Sequence, residues 1–354
     1  MERRDKPQSI IGTDERQSSK SYARSITVTF PGEDRIEIGP EDLYAPPEFT
    51  QNGSEDHDYG LILLPGPGNC DEGFGWSTIL ADSDLNNRVV TVCGYPADKP
   101  DRTMWITGRK ICRFTANKIF YETDTVGGES GSPAYTWYNG YWTVLGVHGY
   151  GAMRDGTNSA PRFTVQMITR FLQRMNCLDP KSLMSVQFPN VYIRCDGRGV
   201  VEPQAAGAAC AGTGNCQYTP PSRWESYYII PVEMRPSSAQ EFVHTVALEN
   251  AEFRNVYIRL DGAGMNSSQG PGGGVVNCQA SVSAYESFVV QDVQNGSMSF
   301  RSVQFRNCYI RMDGRGVTYP VGPGGGTVNC QYYDNFRDVS SWESFLVQDL
   351  VSTN

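Results

Sequence analysis

Histidine is scarce in this chain of 354 residues: only His57, His148 and His244. Chemistry that needs an imidazole base must find it among those three. There is no run of about 18 apolar residues, which excludes a membrane-spanning helix. C-x-x-C pairs and Cys/His clusters are also lacking, so no zinc site is expected, nor any other metal or cofactor. Basic charge is not in excess. The net charge of −9 argues against nucleic acid and against an anionic membrane surface as partners. The opening "MERRDKPQSIIGTDER" has no apolar h-region, so no signal peptide is read there. Ten cysteines and three N-x-[ST] sequons, at Asn52, Asn266 and Asn295, lean the other way, towards secretion and disulfides. A chain lacking its true beginning reconciles the two.

Glycine and tyrosine, by contrast, are plentiful, at 37 and 19 residues. They favour β structure with many turns. Apolar residues make up 39% and charged residues 19%, which suits one or two packed domains rather than a disordered chain. One segment reads as a helix, "VQMITRFLQRM", with Val165, Ile168, Leu172 and Met175 at helical spacing. Composition changes just after it, near "NCLDPKS" (Asn176 to Ser182).

Beyond that point the chain repeats itself. "NVYIRCDGRGV" starts at Asn190, "NVYIRLDGAGM" at Asn255 and "NCYIRMDGRGV" at Asn307, roughly 50 to 65 residues apart. Each is followed by a Gly-rich loop and "NCQ", at Asn215, Asn277 and Asn329. Each then reaches "WESYYI", "YESFVV" or "WESFLV". Alternation within a block, such as Val191 and Ile193 against Tyr192 and Arg194, reads as strand. Three such blocks predict a β-trefoil, with another β-repeat fold as the alternative; three blocks are too few for most propellers. The pattern resembles fascin-like trefoils more than ricin-type lectins, whose Q-x-W signature is absent. Cys216, Cys278 and Cys330 fall at equivalent positions, which threefold symmetry would keep apart as buried thiols. The Asp-Gly of each block has two readings. It makes a tight turn, or Asp196, Asp261 and Asp313 pair with Trp224, Tyr285 and Trp342 as a carboxylate and aromatic platform for a glycan.

The first half alternates short strand-like runs with turns: "RSITVTF", "YGLILL", "RVVTVCGY", "ICRFTAN", "KIFYET" and "WTVLGVHGY". That predicts an antiparallel β-barrel. Late in this order comes "VGGESGSP", Val126 to Pro133. It is not the α/β-hydrolase elbow G-x-S-x-G, because Ser132 stands where the last glycine should be. It matches the G-[DEN]-S-G-[SG]-P loop of chymotrypsin-fold proteases, and the bland alternative is a chance Gly/Ser turn. In that loop Ser130 is the nucleophile, and the amides of Gly128 and Ser130 form an oxyanion hole.

Several ordered segments then resemble the glutamyl endopeptidase branch of the chymotrypsin-like serine proteases. These are "SIIGTDER" from Ser9, "ARSITVTFPG" from Ala23, "HDYGLILL" from His57, "VCGYPADKPDRTMW" from Val92, "DTVGGESGSPAY" from Asp124 and "VLGVHGYG" from Val144. The resemblance covers roughly residues 9 to 175. It implies a trypsin-like serine endopeptidase that cleaves after Glu or Asp by acyl-enzyme chemistry. Asp58, on a strand, is implied as the orienting carboxylate. Thr125 and His148 are implied as the pair that binds the substrate's carboxylate; both can donate hydrogen bonds. The bland reading of His148 is a satisfied barrel histidine.

The same resemblance exposes a gap. The family's catalytic histidine precedes its aspartate, and only His57 precedes Asp58. Neighbours on a strand point to opposite faces, so His57 is not expected between Asp58 and Ser130. His148 follows the serine, and His244 lies in the trefoil. The family's T-A-x-H-C segment would fall between "GTDERQ" and "SSKSYARS", which here join directly at Gln17 and Ser18. A skipped exon or truncated chain, or a genuine pseudoenzyme, accounts for this. A first barrel built without that segment would leave strand edges unpaired and apolar surface exposed.

The expected architecture is therefore all-β: a partial chymotrypsin-like double barrel followed by a trefoil. Residues 1–8 are expected as a propeptide remnant, 9–176 as the protease domain, 177–183 as a linker and 184–354 as the trefoil. Two functions are weighed. One is a secreted endopeptidase with a protein or peptide substrate, its trefoil binding a glycan or another protein, and this chain inactive for want of a base. The other is a non-catalytic binding protein on a protease-like scaffold.

Overall fold

The computed structural model describes residues 25–29, 35–66, 74–101, 103–151, 155–202, 212–235, 244–293 and 295–350. The expected propeptide remnant 1–8 and the Gln17/Ser18 junction lie outside the described residues. The fold is all-β, in two compact units. The first is Met1–Met167 with Arg235–Gln240, and the second is Ile168–Met234 with Glu241–Asn354.

The N-terminal unit contains β1 (Ile26–Val28), β2 (Ile36–Ile38), β3 (Leu43–Tyr44), β4 (Leu61–Ile62), β5 (Gly75–Ser77), β6 (Val89–Gly94), β7 (Trp105–Phe114), β8 (Lys118–Tyr121), β9 (Pro133–Tyr138), β10 (Tyr141–Val147) and β11 (Asn158–Pro161). Six of these pair antiparallel in the order β10, β9, β6, β7, β8, β11. Bridges Gly146↔Arg162 and Tyr150↔Ser159 return to the end of β10 and close a barrel. Strand β6 shows why: its apolar residues alternate, so Val90 and Val92 turn inward while Val89 stays exposed. They join Leu85, Ile111, Ile119, Tyr121, Ala134, Leu145 and Ala160 in one core. Where a second barrel would stand, β1 pairs only with β2, and β3 only with β4, among the described residues. At the start of β7, Met104, Trp105 and Ile106 are exposed.

The predicted helix forms at Val165–Arg174. Thr164 Oγ1 accepts from the amide of Met167 at 3.2 Å and caps its start. Asn176, at φ +54°, ends it. Met175, expected on the apolar face, lies past the last turn and is 40% exposed.

The C-terminal unit repeats four strands three times. The first set is β12 (Lys181–Ser185), β13 (Val191–Asp196), β14 (Thr213–Tyr218) and β15 (Ser226–Met234). Next come β16 (His244–Asn250), β17 (Tyr257–Asp261), β18 (Val275–Gln279) and β19 (Ser287–Asp292). The last are β20 (Met298–Ser302), β21 (Cys308–Asp313), β22 (Thr327–Tyr332) and β23 (Phe345–Asp349). The outer strands of each set close a ring, β12–β15–β16–β19–β20–β23 and back to β12. The inner pairs β13–β14, β17–β18 and β21–β22 are hairpins. A six-stranded ring with three hairpins is the trefoil arrangement. Its first strand starts at Lys181, inside the stretch expected as a linker. The reason is Leu183, fully buried in the trefoil core with Phe288, Phe300 and Phe345.

The equivalent residues Cys216, Cys278 and Cys330 pair across their hairpins with Ile193, Ile258 and Ile310. Every cysteine among the described residues is a free thiol, so the expected disulfides are not seen there. The close thiol neighbours are non-equivalent: Cys195 with Cys278, and Cys308 with Cys330.

Candidate functional site

The serine loop runs from the end of β8 to the start of β9. Two backbone bonds clamp it to the end of β10: Gly131 N to His148 O at 2.7 Å, and His148 N to Ser132 O at 2.8 Å. Inside the loop, Glu129 is buried and its Oε2 accepts from the amide of Val126 at 2.9 Å. Burial, then repulsion from Asp98 and Asp124, raises this carboxyl above the ordinary range, against the pull of that amide and of Lys99. The sequence motif admits Asp, Glu or Asn at this position without giving it a role; Glu129 braces the turn.

Gly128 has φ +102°, and a Cβ there would sit 2.8 Å from the carbonyl oxygen of Tyr95. Only glycine fits both the conformation and the close approach. The flanking carbonyls are both engaged. Gly127 O accepts from Ala97 N at 2.8 Å, and Glu129 O accepts from Ser132 N at 3.0 Å. In a trans peptide the N–H points opposite to the C=O. The amides of Gly128 and Ser130 therefore point away from those acceptors, and neither donates to a backbone acceptor among the described residues. Two unengaged backbone N–H groups two residues apart are donors of the kind that an oxyanion can use.

Ser130 Oγ is exposed and donates to Gly149 O at 3.4 Å. Asp58 reaches the same place: a Cβ on Gly149 would lie 3.7 Å from Asp58 Oδ2. The sequence put Asp58 on a strand. It instead follows a 3-10 turn, Glu55–His57, and accepts from the hydroxyl of Tyr150. Burial and the nearby Asp58 carboxylate push the Tyr150 phenol up. His57 belongs to that turn and its Nδ1 bonds with Ser54 Oγ at 2.9 Å. So the turn and its Ser54 contact, rather than strand alternation, hold His57. Among the described residues no imidazole bonds to Ser130.

His148 is 3% exposed, with Nδ1 2.7 Å from the hydroxyl of Tyr121. Burial pulls its pKa down to about 4, so the ring is neutral at pH 7. With Tyr121 as donor, the ring proton sits on Nε2, free to donate. Thr125 lies just ahead of the serine loop. Its Oγ1 is buried with no partner among the described residues. A Cβ on Gly151 would lie 3.7 Å from it and 3.6 Å from Asn158 Oδ1. Asn158 Nδ2 in turn bonds to Thr123, which ties the two segments together. An unsatisfied buried hydroxyl costs about 1–3 kcal/mol, an expense that a bound acceptor would remove.

The neutral His148 makes stability pH-dependent. Its folded pKa lies below the unfolded value of about 6.5. Its contribution is therefore present above pH 6.5 and is lost as pH falls through about 4. The shift corresponds to about 3 kcal/mol. In urea unfolding at pH 7 and at pH 4, His148→Gln should lose less stability than the parent by about that amount. Parallel losses in the two proteins would contradict this.

In the trefoil the predicted glycan residues are engaged internally. Arg198 binds Asp196, Arg259 binds Asp261 at 3.1 Å, and Arg315 binds Asp313. Each aspartate also accepts from the amide two residues on, closing the Asp-Gly turn. Buried Arg194, Arg259 and Arg311 lie over Trp224, Tyr285 and Trp342 at 4.4 to 4.6 Å. Each ring also meets a phenylalanine edge: Phe253, Phe305 and Phe188 respectively. Those phenylalanines press on Gly197, Gly262 and Gly314, where a Cβ would lie 2.8 to 3.1 Å from a phenylalanine atom. Each latch joins one repeat to the next, and the last joins to the first. The phenylalanine two residues before each block was the signal in the sequence.

No family model matches the chain. It is similar to the glutamyl endopeptidase of Staphylococcus epidermidis, 40% identical over 118 residues, which is 28% of this chain and 40% of that protein. The glutamyl endopeptidase of Bacillus licheniformis is 36% identical over 123 residues, 33% of this chain and 38% of that protein. The chain thus spans about two fifths of the length of these curated relatives. A solved Glu endopeptidase in complex with MPD overlaps 45% of this chain and 74% of that chain, at TM-score 0.36 and 23% identity. Over the matched stretch this protein is homologous to glutamyl endopeptidases.

Proposed function

We propose that the N-terminal unit is a secreted serine endopeptidase domain of the type that cleaves after acidic residues. Ser130 is its nucleophile, the Gly128 and Ser130 amides its oxyanion hole, and Thr125 with His148 its acidic-side-chain pocket. The observation that carries the reading is the unpartnered, buried Thr125 hydroxyl, which lies against Gly151, three residues beyond the neutral His148. The partial homology to glutamyl endopeptidases supports it. Among the described residues no imidazole bonds to Ser130, so on this reading recognition is retained while turnover is negligible. The bond from Tyr150 to Asp58 favours the second reading, a non-catalytic binding protein on the same scaffold. The trefoil is its binding domain for a protein or glycan, with contacts outside the engaged Asp–aromatic pairs.

The test is binding of acetylated peptide amides that differ only at the C-terminal residue. The glutamate peptide should bind at least about tenfold more tightly than the glutamine peptide, since hydrogen bonds to a charged acceptor contribute about 1.5–3 kcal/mol. Thr125→Val should erase much of that preference while leaving the fold intact, because the hydroxyl has no partner to lose. Equal binding of both peptides would refute the pocket.

A further inference from the structure

We infer that this chain is a receptor for peptides that end in a free glutamate, holding the terminal α-carboxylate on the serine loop and the side-chain carboxylate in the Thr125/His148 pocket. The inference rests on the pocket assignment above and goes beyond it in naming what occupies the serine loop.

Three donors are available there. The flanking carbonyls, Gly127 O and Glu129 O, accept from Ala97 N and Ser132 N, and the amides of Gly128 and Ser130 donate to no backbone acceptor among the described residues. The third is the Ser130 hydroxyl. In an intact triad an imidazole takes its proton during attack. Here no imidazole bonds to it among the described residues, and the hydroxyl keeps its proton. Its partner, Gly149 O, is 3.4 Å away, well beyond the usual 2.7–2.8 Å for O–H···O. That weak bond is readily exchanged for a better acceptor. A hydroxyl that retains its proton is a donor and not a nucleophile, so losing the base changes what the loop prefers to bind. A neutral amide carbonyl has one oxygen and no charge. A carboxylate has two oxygens and a full charge, and charge-assisted hydrogen bonds are about twice as strong. Backbone N–H groups gathered at a turn bind anions in this way.

Two carboxylates oppose a second anion at this spot. Asp58 near Gly149 is partly screened by the bond from Tyr150. Glu129 is buried beneath the loop and accepts from Val126 N. Among the described residues neither carboxylate accepts from the Gly128 or Ser130 amide. The ligand class is therefore set by two acidic groups on one residue, the side chain and the α-carboxylate of a C-terminal glutamate.

The experiment uses the full chain and three acetylated peptides of one sequence, ending in glutamic acid, glutamic acid amide and glutamine with a free carboxylate. Calorimetry should show the glutamic acid peptide binding at least about tenfold more tightly than its amide. In a 15N-labelled sample the Gly128 and Ser130 amide protons should shift downfield with the acid and much less with the amide. Acid and amide binding equally, or the amide more tightly, overturns the receptor reading while leaving the pocket intact. The pocket fails separately, if the peptides ending in glutamic acid and in glutamine with free carboxylates bind alike. Gly128→Ala should remove the acid-over-amide preference, since its Cβ forces the Gly127–Gly128 peptide to shift. Should that variant not fold, the parent's comparison of acid with amide decides alone.

Discussion

Offered an acidic peptide substrate, this chain should turn it over about a millionfold more slowly than an intact triad. A fluorophosphonate should leave Ser130 unlabelled over hours. The serine hydroxyl is a poor nucleophile unless a base removes its proton as it attacks. Its partner here is a backbone carbonyl at 3.4 Å, which cannot take a proton. Asp58, proposed as the orienting carboxylate, accepts from the Tyr150 phenol. His148 is the histidine nearest the loop in sequence, but its pKa is pulled down to about 4 and its Nδ1 bonds with Tyr121. A ring of that pKa is a weak base at pH 7. What survives is the contribution of the oxyanion donors and binding, typically 10³–10⁴ over water. Stoichiometric labelling of Ser130, or a rate with the inflection of a histidine base near pH 6.5, would show that a base is present after all.

Arg311→Met should destabilise the trefoil by about 3–5 kcal/mol in urea unfolding, the usual cost of breaking a buried ion pair from one side. Arg311 is 3% exposed and stands 3.7 Å from Glu343, which is 1% exposed. Burial raises the Glu343 carboxyl despite that arginine. Removing the guanidinium leaves the carboxylate with Ser340 and the Tyr333 hydroxyl as its remaining partners. It also uncovers Trp342. The double variant Arg311→Met with Glu343→Leu should recover most of the loss, because neither charge then remains buried. A single variant within about 1 kcal/mol of the parent would show that the pair adds little. The same latch recurs at Arg194 with Glu225 and at Arg259 with Glu286, so the experiment can be repeated twice in one molecule. It also separates structure from recognition. If these rings and carboxylates hold the repeats together, a glycan array is expected to give no signal that depends on Asp196, Asp261 or Asp313.

The amino-acid sequence alone gave the all-β class, the threefold repeat and the serine loop, because each is local. Strand alternation, Asp-Gly turns and G-E-S-G-S-P are carried by residues a few positions apart, and local sterics and hydrogen bonding act at that range. Counting histidines left only His57 ahead of Asp58, and its adjacency to that residue was the ground for not expecting it at Ser130. Tertiary structure decided what depends on residues far apart in the chain. It set Asp58 after a 3-10 turn with Tyr150 as its partner, and it placed the unsatisfied Thr125 hydroxyl beside Gly151. It also engaged the Asp and aromatic residues of the trefoil with arginines and with phenylalanines from the neighbouring repeat. A carboxylate or an indole reads the same in sequence whether it is open to a ligand or closed by the fold. The difference lies in which groups desolvate it, and burial is a property of packing that no local pattern encodes.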